Sequence, residues 1–385
     1  MPTPIIVVGD SPWGPTGLGR IARDVSQRLR SVPGLEVYCL GWEAEACWGG
    51  HDRYMGHQDT ETWGARALTK WWPEVVPDDQ YGIVLSIWDP ARCYGLRQAK
   101  LHNDIWWGYF PIDAHNRQET IGGPAAEAVR QYHRVLAYGR YGDRVLSGVR
   151  GDVEHLPHGI DRNVFYPRVG EQKAWEVLKV LTPQVKPDSL LLGCVATNQP
   201  RKDLALLCET VAELRRRDSR YKLWLHTDLP VKAWSIPQLL TDFGLHGHAV
   251  VTYELEDAEL AALYSYCGCT IAPGLGEGFG YPIVESLSCG TPVVHGTYGG
   301  GTELVPCPDW VFPGRGYRYE SPYTLIRPVY QAVDVANAVE SAVQWRIREP
   351  QVVSNYCTRS VEHLDWDRLW SCWEGWITRG LEALR

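Results

Sequence analysis

Two glutamates, Glu277 and Glu285, stand eight positions apart in the stretch APGLGEGFGYPIVESLSCGTPVV, residues 272–294. The stretch predicts a strand end, a glycine-rich turn and a helix that Gly290 closes. Pro282 falls in the first turn of that helix, where a missing N–H costs nothing. Glu277 then lies in the turn, and Glu285 lies one or two turns into the helix. Two carboxylates so placed can accept hydrogen bonds from hydroxyl groups far apart on one extended ligand.

The turn before this helix predicts a site for an anion. In an open α/β sheet, ligands bind outside the carboxyl ends of the strands. The N–H groups of Gly278, Phe279 and Gly280 would face such a ligand, and the helix dipole favours negative charge there. A helix cap and a solvated surface glutamate would explain either acid alone. The full constellation instead indicates a ligand with a sugar at one end, a diphosphate in the middle and a ribose at the other.

The composition limits the class of protein that carries these residues. A length of 385 residues fits two domains, and an apolar fraction of 44% fits a globular protein. The net charge of −8 argues against an indiscriminate binder of phosphate backbones. Eleven cysteines without a CxxC pair, and no signal-peptide pattern, predict a reduced cytoplasmic protein. No apolar run approaches the roughly 18 residues of a membrane span, which leaves only peripheral membrane contact open.

Apolar strands alternate with amphipathic helices along the chain, as βαβ units require. One series of strands starts with residues 4–10 and a second with residues 190–197. The pattern therefore predicts two α/β halves joined near residues 165–185. A final amphipathic helix over 365–385 carries an apolar stripe that we interpret as packing surface, formed by Trp366, Leu369, Trp370 and Trp373.

The glutamate stretch resembles the paired-glutamate motif of the retaining GT-B glycosyltransferases of family 4, which take sugar from nucleotide-sugar donors. LPHGIDRNVFYP (156–167) resembles the domain-boundary signature of that family, and TYGGGTELV (297–305) resembles its sugar-contact loop. The resemblance covers nearly the whole chain and extends to phage-type members. It implies that Glu277 contacts sugar hydroxyls, that Glu285 holds the ribose, and that the amides of 278–280 hold sugar and phosphate.

The resemblance also implies a fold and an activity. The fold would be two Rossmann-like domains facing across a cleft, with a C-terminal helix that crosses back to the N-terminal domain. The expected domains are 1–168 for the acceptor, 169–364 for the nucleotide sugar and 365–385 for the cross-over helix. The activity would be transfer of a hexose from a UDP-glucose or GDP-mannose type donor to an acceptor hydroxyl. Donor binding is expected to close the halves, and no cofactor is expected besides the nucleotide-sugar substrate.

A diphosphate clamp is expected on VATNQPRKDLAL (195–206), where the family carries an arginine and a lysine. Lys202 matches the family lysine. The arginine position falls on Thr197, so the chain departs from the pattern there. Arg201 is the predicted substitute, with a plain surface arginine as the alternative, and Asn198 is a predicted donor contact on the same loop. Cations aimed at the leaving diphosphate would stabilise charge that develops in the transition state.

The first half carries a glycine-rich turn, GDSPWGPTGLGRIARDV (9–25), after its first strand. The spacing is not that of the GxGxxG dinucleotide fingerprint, so it does not indicate NAD. In the resembled family this turn faces the donor. Gly17 and Gly19 are therefore predicted either to contact the donor at its phosphate or to approach the acceptor, with a plain tight turn as the alternative.

A second segment of the first half, GYFPIDAHNR (108–117), falls where many family members carry a His-Asp pair. Asp113 matches the acid, and Ile112 stands where the histidine would be. Two interpretations stay open. Asp113 either positions the acceptor hydroxyl, which His115 would also do, or caps the next helix.

No metal is expected. The one Asp-x-Asp sequence, DWD at 365–367, falls at the start of the terminal helix, where acids complement the helix dipole. A glycosidase needs a pair of catalytic carboxylates, and the first half shows no well-placed pair. The resemblance implies front-face displacement instead, in which the leaving phosphate takes the acceptor proton.

Three kinds of function remain open at this stage. The acceptor is a carbohydrate or lipid-linked hydroxyl, or it is a hydroxymethylated base in DNA, or the protein binds sugar nucleotides without catalysis. Nine of the 18 tryptophans lie by residue 107, and they could stack bases beside the arginines of one helix, Arg20, Arg23, Arg28 and Arg30. However, residues 1–170 carry 18 Lys and Arg against 20 Asp and Glu, which argues against a DNA groove.

Overall fold

The computed structural model describes residues 2–42, 53–181, 185–186, 188–228, 233–321 and 324–384. Three features of the sequence analysis lie outside these ranges: Trp48, residues 182–184 of the predicted link, and the last residue of the predicted terminal helix, Arg385. The chain forms two compact units. Unit 1 comprises Met1–His158, Ser321–Leu325 and Trp370–Arg385, and unit 2 comprises Gly159–Glu320 and Ile326–Leu369.

Unit 1 is a seven-stranded parallel sheet with helices between the strands. Its elements are β1 (Thr3–Asp10), α1 (Gly17–Leu29), β2 (Leu35–Trp42), β3 (Tyr54–His57), α2 (Ala65–Val75), β4 (Gly82–Ile87), α3 (Pro90–Leu96), β5 (Asp104–Phe110), α4 (Gly123–Arg130), β6 (Arg134–Ala137), α5 (Arg140–Ser147) and β7 (Val153–His155). The strand order is β3-β2-β1-β4-β5-β6-β7. The order reverses between β1 and β4, which makes the carboxyl ends of these two strands the switch point of the sheet.

The apolar runs of the sequence account for the central strands. In β1 every residue after Thr3 is buried, because helices cover both faces of a parallel sheet and both sets of side chains enter the core. The helices of unit 1 each bury one stripe. In α1 that stripe includes Ile21, Val25 and Leu29, at helical spacing.

The rest of the chain builds a second parallel sheet and the C-terminal helices. Its elements are α6 (Gln172–Leu181), β8 (Leu190–Val195), α7 (Leu204–Arg217), β9 (Tyr221–His226), α8 (Ile236–Asp242), β10 (Ala249–Thr252), α9 (Asp257–Tyr266), β11 (Cys269–Ala272), α10 (Tyr281–Ser288), β12 (Val293–Gly296), β13 (Val311–Phe312), β14 (Tyr317–Glu320), β15 (Leu325–Pro328), α11 (Ala332–Arg348), α12 (Pro350–Ser360) and α13 (Trp366–Glu382). The strand order of the unit 2 sheet is β10-β9-β8-β11-β12-β13. Its switch point lies between β8 and β11.

Two tryptophans of α13, Trp373 and Trp376, pack inside unit 1. Trp373 is fully buried, its ring centroid lies 4.8 Å from that of Tyr109, and its indole N–H donates to the carbonyl of Pro157 at 2.9 Å. Trp376 is 2% exposed and lies 5.1 Å from Trp107. The predicted packing role of the stripe is therefore confirmed at Trp373.

The predicted fold class is confirmed as two parallel-sheet, Rossmann-like α/β domains. Both predicted series of strands are present, and their first strands, β1 and β8, lie within two residues of the predicted bounds, 4–10 and 190–197. The edge strands β7 and β10 were predicted, but β3, with four residues, and β13, with two, were not. The separate pair β14–β15, outside both large sheets, was not predicted either. None of the helices that the structure describes is both long enough and apolar enough to cross a membrane.

Candidate functional site

The candidate site lies at the switch point of unit 2. Strands β8 and β11 pair side by side, although much of the unit 2 sequence separates them, so their carboxyl-end loops are neighbours. The loop after β8 leads through a short 3₁₀ turn, Pro200–Lys202, and the loop after β11 leads into α10. A backbone hydrogen bond from Leu275 to the carbonyl of Arg201, at 2.7 Å, joins the two loops.

Two cations from the first loop meet one carboxylate from the second. The Lys202 ammonium lies 2.5 Å from Oε1 of Glu277. The Arg201 guanidinium donates to the carbonyl of Gly276 at 3.1 Å and lies 3.4 Å from Oε2 of Glu277. Lys202 is 8% exposed, which is rare for a lysine unless it is paired. The structure therefore brings together three predicted site residues, and Arg201 is not a plain surface arginine.

The electrostatics of this cluster keep the Glu277 carboxylate charged. Burial acts to raise its pKa, but the charges of Lys202 and Arg201 outweigh burial and hold the pKa at about 2. Removing one partner of such a buried pair typically costs about 3–5 kcal/mol, because the other charge is left uncompensated. The cluster is therefore a strongly coupled unit.

Glycines allow the close packing around Glu277. A Cβ added at Gly274 would lie 2.8 Å from the Glu277 carboxylate. Gly299 has a φ of +91°, and a Cβ there would lie 2.8 Å from the Glu277 nitrogen. The Gly300 N–H donates to the Glu277 carbonyl at 2.7 Å. The predicted sugar-contact loop, 297–305, is thus packed directly on the glutamate turn, and a side chain at these glycines would move the carboxylate.

Residues Gly278 to Gly280 form the turn ahead of α10, as predicted. Gly280 is the N-cap, with a φ of 108°, and Pro282 lies in the first turn. Phe279 is 7% exposed. A small pocket opens at this helix end, and its walls are Val195, Ala196, Lys202, Ala272, Pro273, Gly274, Glu277, Gly280, Pro282 and Ile283. The helix end and Lys202 give the pocket groups that suit an anion.

Glu285 lies further along α10 and has a partner that the sequence did not indicate. Its carboxylate is 4% exposed and accepts a hydrogen bond from the Tyr264 hydroxyl at 3.0 Å. Burial, and then the charge of Glu285, raise the pKa of Tyr264 well above its usual value. The glutamate thus links α10 to α9. A ribose at this carboxylate would share it with Tyr264.

Asn198 holds two loops together. It is 1% exposed, and its side-chain amide exchanges two hydrogen bonds with the backbone of Trp234, at 2.9 and 2.8 Å. Its own N–H donates to the Asp228 carboxylate. Sequence reasoning missed both partners, because neither follows from a motif. The predicted donor contact of Asn198 stays a prediction beside this structural role.

In the glycine turn of unit 1, close packing explains one of the two predicted glycines, Gly19. The Thr16 hydroxyl caps α1 and accepts from the Gly19 N–H at 3.0 Å. A Cβ at Gly19 would lie 2.4 Å from the Ser11 carbonyl, so only glycine fits. Gly17 is exposed at the first position of α1. The tight turn explains Gly19, and a donor contact at either residue stays a prediction.

Asp113 does not cap the next helix. That helix, α4, begins at Gly123 with Gly122 as its N-cap and without a side-chain cap. Asp113 is half-buried in the segment after β5. In the same segment, His115 Nδ1 lies 2.6 Å from the Asn116 carbonyl. Of the two interpretations, acceptor positioning by Asp113 stays a prediction.

Asp10, at the carboxyl end of β1, is a further buried acid that was not among the predicted site residues. It is 7% exposed, and three donors surround its carboxylate. These are the Trp88 indole N–H at 2.8 Å, the Thr16 hydroxyl at 2.7 Å and the Arg92 guanidinium at 3.3 Å. Its signal in the sequence was a lone acid directly after an apolar strand.

The DWD sequence has the predicted place at a helix start. The Asp367 N–H donates to the Asp365 carboxylate at 2.9 Å, and Asp367 lies in the first turn of α13. Among the described residues, no group of three or more His, Cys, Asp or Glu side chains could hold a metal ion.

A family model matches the part of the chain that carries this site. Residues 189–314 match the family described as Glycosyl transferases group 1. The match includes both loops of the cluster, the glutamate turn and α10. Unit 2 is therefore related in sequence to group 1 glycosyltransferases.

Curated relatives share sequence with parts of the chain. It is 27% identical over 266 residues to the GDP-mannose-dependent alpha-(1-6)-phosphatidylinositol monomannoside mannosyltransferase of Mycolicibacterium smegmatis, covering 66% of this chain and 63% of the relative. It is 29% identical over 151 residues to the MMP alpha-(1->4)-mannosyltransferase of Mycolicibacterium hassiacum, covering 39% of this chain and 32% of the relative. The chain thus spans less than two thirds of the length of either relative.

Solved structures share the fold across the whole chain. The Anabaena Alr3699/HepE structure in complex with UDP has a TM-score of 0.71 at 15% identity, covering 99% of this chain and 100% of that one. Sucrose-phosphate synthase (tll1590) from Thermosynechococcus elongatus has a TM-score of 0.73 at 16% identity, covering 100% of both chains. At such identities the likeness shows only the fold, which is that of the GT-B glycosyltransferases. The chemistry has to be inferred from the residues of the site.

Proposed function

We propose that this protein is a glycosyltransferase that moves a hexose from a nucleotide-diphosphate hexose to an acceptor hydroxyl. The observation that carries the proposal is the cluster of Lys202, Arg201 and Glu277 at the unit 2 switch point, beside the amino end of α10. The match to group 1 glycosyltransferases over the same residues supports it. Lys202 and Arg201 are the proposed diphosphate clamp.

The charges of the cluster suit a diphosphate. Two cations face one carboxylate, which leaves one positive charge in excess, and the helix end adds a partial positive charge. A diphosphate beside them would draw on both cations. Glu277 would then exchange part of its contact with the cations for contact with the hydroxyls of the donor sugar, and Glu285 would accept from the ribose.

The proposed reaction is a front-face displacement with retention, of family 4 type. The acceptor oxygen forms a bond to the anomeric carbon of the hexose, and the bond from that carbon to the leaving phosphate oxygen breaks. The acceptor proton passes to an oxygen of the leaving diphosphate. Lys202 and Arg201 stabilise the charge that this diphosphate gains, a role in which fixed cations act strongly in the transition state.

The relatives favour a mannosyl donor as the first to test. One of them is named as GDP-mannose-dependent, and another is named as a mannosyltransferase. We therefore propose GDP-mannose as the donor, with UDP-glucose as the comparison. A cytoplasmic setting is part of the proposal, as are independence from metal and from any cofactor.

Donor turnover by the purified protein tests the proposal. We expect binding of GDP-mannose by titration calorimetry, release of GDP, and transfer to methyl α-D-mannopyranoside. Binding without release or transfer would indicate a sugar-nucleotide-binding protein instead. Transfer to hydroxymethylated DNA alone would indicate the phage-type alternative. No binding of either nucleotide sugar would contradict the proposal.

Metal independence is a separate prediction. Activity should survive EDTA, because two cations and a helix end already face the diphosphate position. The assay is GDP release before and after chelation. Loss of release that Mg²⁺ or Mn²⁺ restores would show that the site needs a metal.

A further inference from the structure

We propose that unit 2 carries a second anion site, a pocket for the phosphate group of a phosphorylated ligand, at the amino edge of its sheet. The pocket is an open cavity of about 320 Å³ between the end of α7 and the turn that joins α8 to β10. This volume falls in the range of small-ligand pockets, roughly 300–1,000 Å³. The starts of the parallel strands β9 and β10 lie at this edge, whereas the cluster around Glu277 lies at the carboxyl edge. The proposal therefore does not depend on the proposed transfer reaction.

The walls of this amino-edge pocket carry cations. Arg215 and Arg216, near the end of α7, and His248, directly before β10, line it, and none of its described lining residues is an acid. Lys222 of β9 joins them, since its ammonium lies 2.9 Å from Nδ1 of His248. The whole chain has a net charge of −8, so these cations gather against the overall charge. A local group of cations attracts anions.

Two of these cations have no acid as a partner. In the part of the chain that the structure describes, neither Arg215 nor Lys222 forms an ion pair with a carboxylate. The two acids nearest to them in sequence, Glu213 and Asp218, are paired with other arginines. Burial, and then the charge of Arg215, lower the pKa of Lys222. An anion bound here would offset the repulsion between the two cations.

The dipole of α7 explains only part of this arrangement. Cations in the last turn of a helix complement its negative end. Arg215 accordingly donates to the carbonyls of Ser219 and Tyr221, at 2.8 and 2.5 Å. Both bonds use Nη1, so they fix the guanidinium and leave its Nε and Nη2 donors for a ligand. Lys222 and His248 belong to other elements, and the helix dipole gives no reason for their presence.

His248 adds a neutral donor to the pocket. The Lys222 ammonium can only donate, so Nδ1 of His248 accepts and the ring proton lies on Nε2. Lys222 also donates to the Gly247 carbonyl at 3.2 Å, which holds the ammonium in place. Burial, followed by the charges of Arg215 and Lys222, lowers the pKa of His248, so the ring stays neutral. A fixed guanidinium and an imidazole N–H are donors that phosphate oxygens accept.

The turn that carries His248 gives the pocket an apolar wall. Leu245 anchors the turn, since it is 1% exposed and its carbonyl accepts from the His248 N–H at 2.9 Å. Gly244 and Gly247 have φ angles of +64° and +71°, which favour glycine. The half-buried Phe243 lines the cavity beside the arginines. Cations next to an apolar wall suit a phosphate group attached to an apolar moiety better than a bare phosphate ion.

The test uses phenyl phosphate and inorganic phosphate as probes. The NMR signal of the His248 ring reports binding at this pocket, and His248→Gln assigns that signal. Arg215→Gln and Lys222→Gln each remove one charge and keep a hydrogen-bond donor. Arg220→Gln is the matched control, because Arg220 lies directly before β9 and is paired with Asp218 at 2.7 Å. Circular dichroism checks the fold of each variant.

We expect phenyl phosphate to shift the His248 signal with a Kd of about 1 mM, and inorganic phosphate to bind more weakly. Arg215→Gln and Lys222→Gln should each raise this Kd about threefold to tenfold, because one charge-assisted contact is lost. Arg220→Gln should stay within about twofold of wild type, since it removes a cation outside the pocket. Lys202→Ala should keep the full His248 response, since that lysine lies at the other edge of the sheet.

Vesicles separate two sources of the phosphate group. Phosphatidylcholine vesicles with and without phosphatidylglycerol are sedimented with wild type and with Arg215→Gln. Binding that needs phosphatidylglycerol and weakens in the variant would assign the pocket to a lipid headgroup. Binding of phenyl phosphate without vesicle binding would assign it to a soluble phosphorylated ligand.

Three results would overturn the proposal. The first is a His248 signal that phenyl phosphate does not shift. The second is a wild-type Kd in both Arg215→Gln and Lys222→Gln. The third is loss of the response in Lys202→Ala, which would show that phosphate acts from the donor site. Absence of donor turnover would contradict the proposed function alone, because the NMR titration needs no transfer reaction.

Discussion

The carboxyl edges of the two sheets share a topology and differ in chemistry. Each sheet reverses its strand order once, and polar groups gather at both switch points. In unit 2 the acid at this edge, Glu277, is paired with two cations. In unit 1 the acid, Asp10, takes two of its three hydrogen bonds from neutral donors, Trp88 and Thr16.

The difference shows that one architecture can place two kinds of polar cluster at the same edge of a sheet. Two cations and one carboxylate beside a helix end suit a charged diphosphate, whereas the single cation at Asp10, Arg92, only balances that carboxylate. Strand order decides where a ligand binds, and the loop residues decide which ligand it is. Variants of the unit 2 cluster should therefore change donor chemistry without changing the contacts of Asp10 in unit 1.

The largest expected effect comes from the cation at the centre of the cluster. Lys202→Ala should lower kcat on the order of 10²–10³-fold, because a fixed positive charge beside the leaving diphosphate is lost. Single-turnover transfer is the measurement, with circular dichroism to confirm the fold. Lys173→Ala, an exposed lysine on α6 of the same unit, is the matched control. A near wild-type rate in Lys202→Ala would remove this loop from the diphosphate site.

Arg201→Ala sharpens the same test. The Arg201 contact with Glu277 is longer than that of Lys202, 3.4 against 2.5 Å, and its side chain is more exposed, 27% against 10%. Its loss of kcat should therefore be smaller than that of Lys202→Ala. An unchanged rate would show that Arg201 does not replace the arginine that the family carries at the position of Thr197.

The buried acid predicts a pH dependence of stability. The pKa of Glu277 is lowered from 4.5 to about 2 in the folded protein. The unfolded chain therefore binds more protons between these values, and stability rises with pH there. The contribution, on the order of 3 kcal/mol, is present above pH 4.5 and is lost as the pH falls through about 2.

Denaturant unfolding at several pH values measures this dependence. As the pH falls from 4.5 to about 2, the free energy of unfolding should decrease more for wild type than for Glu277→Gln. If the free energy of unfolding decreases equally in both proteins at low pH, groups other than Glu277 cause the decrease.

The ribose contact predicts a more moderate effect on donor binding. Glu285→Ala should raise the donor KM about tenfold to a hundredfold, since a hydrogen bond to a charged group contributes about 1.5–3 kcal/mol. Tyr264→Phe removes the neighbouring hydroxyl but keeps the carboxylate, so its donor KM should change less. Steady-state kinetics with GDP-mannose measure both. Equal changes in the two variants would assign Glu285 to helix packing and not to the donor.

The smallest predicted effect has the opposite sign. Glu277→Gln removes a negative charge beside the proposed diphosphate position, so GDP should bind on the order of fivefold more tightly. Transfer should fall nevertheless, because the amide has one acceptor oxygen for the sugar hydroxyls where the carboxylate has two. Calorimetry with GDP and transfer assays measure the two changes. Weaker GDP binding would show that the carboxylate supports the diphosphate site and does not compete with the phosphates for its cations.

Much of the fold could be predicted from the sequence, because central parallel strands are buried on both faces and appear as apolar runs. The four residues of β3 and the two of β13 carry no such signal, since short edge strands bury little. The pair β14–β15 is also absent from the predicted pattern, and Tyr317 and Tyr319 on β14 are exposed. Short exposed strands depend on tertiary contacts more than on local patterning.

For the site, the sequence by itself determined which residues stand in the glycine turn, where α10 begins and which lysine follows β8. Only the tertiary structure decided their partners. Lys202 and Glu277 are 75 positions apart, and Glu285 and Tyr264 are 21 apart. The physical reason is the crossover connection of a parallel sheet, which places the ends of β8 and β11 side by side although other strands and helices separate them in sequence. Local spacing therefore indicates a site, and the strand order assembles its charges.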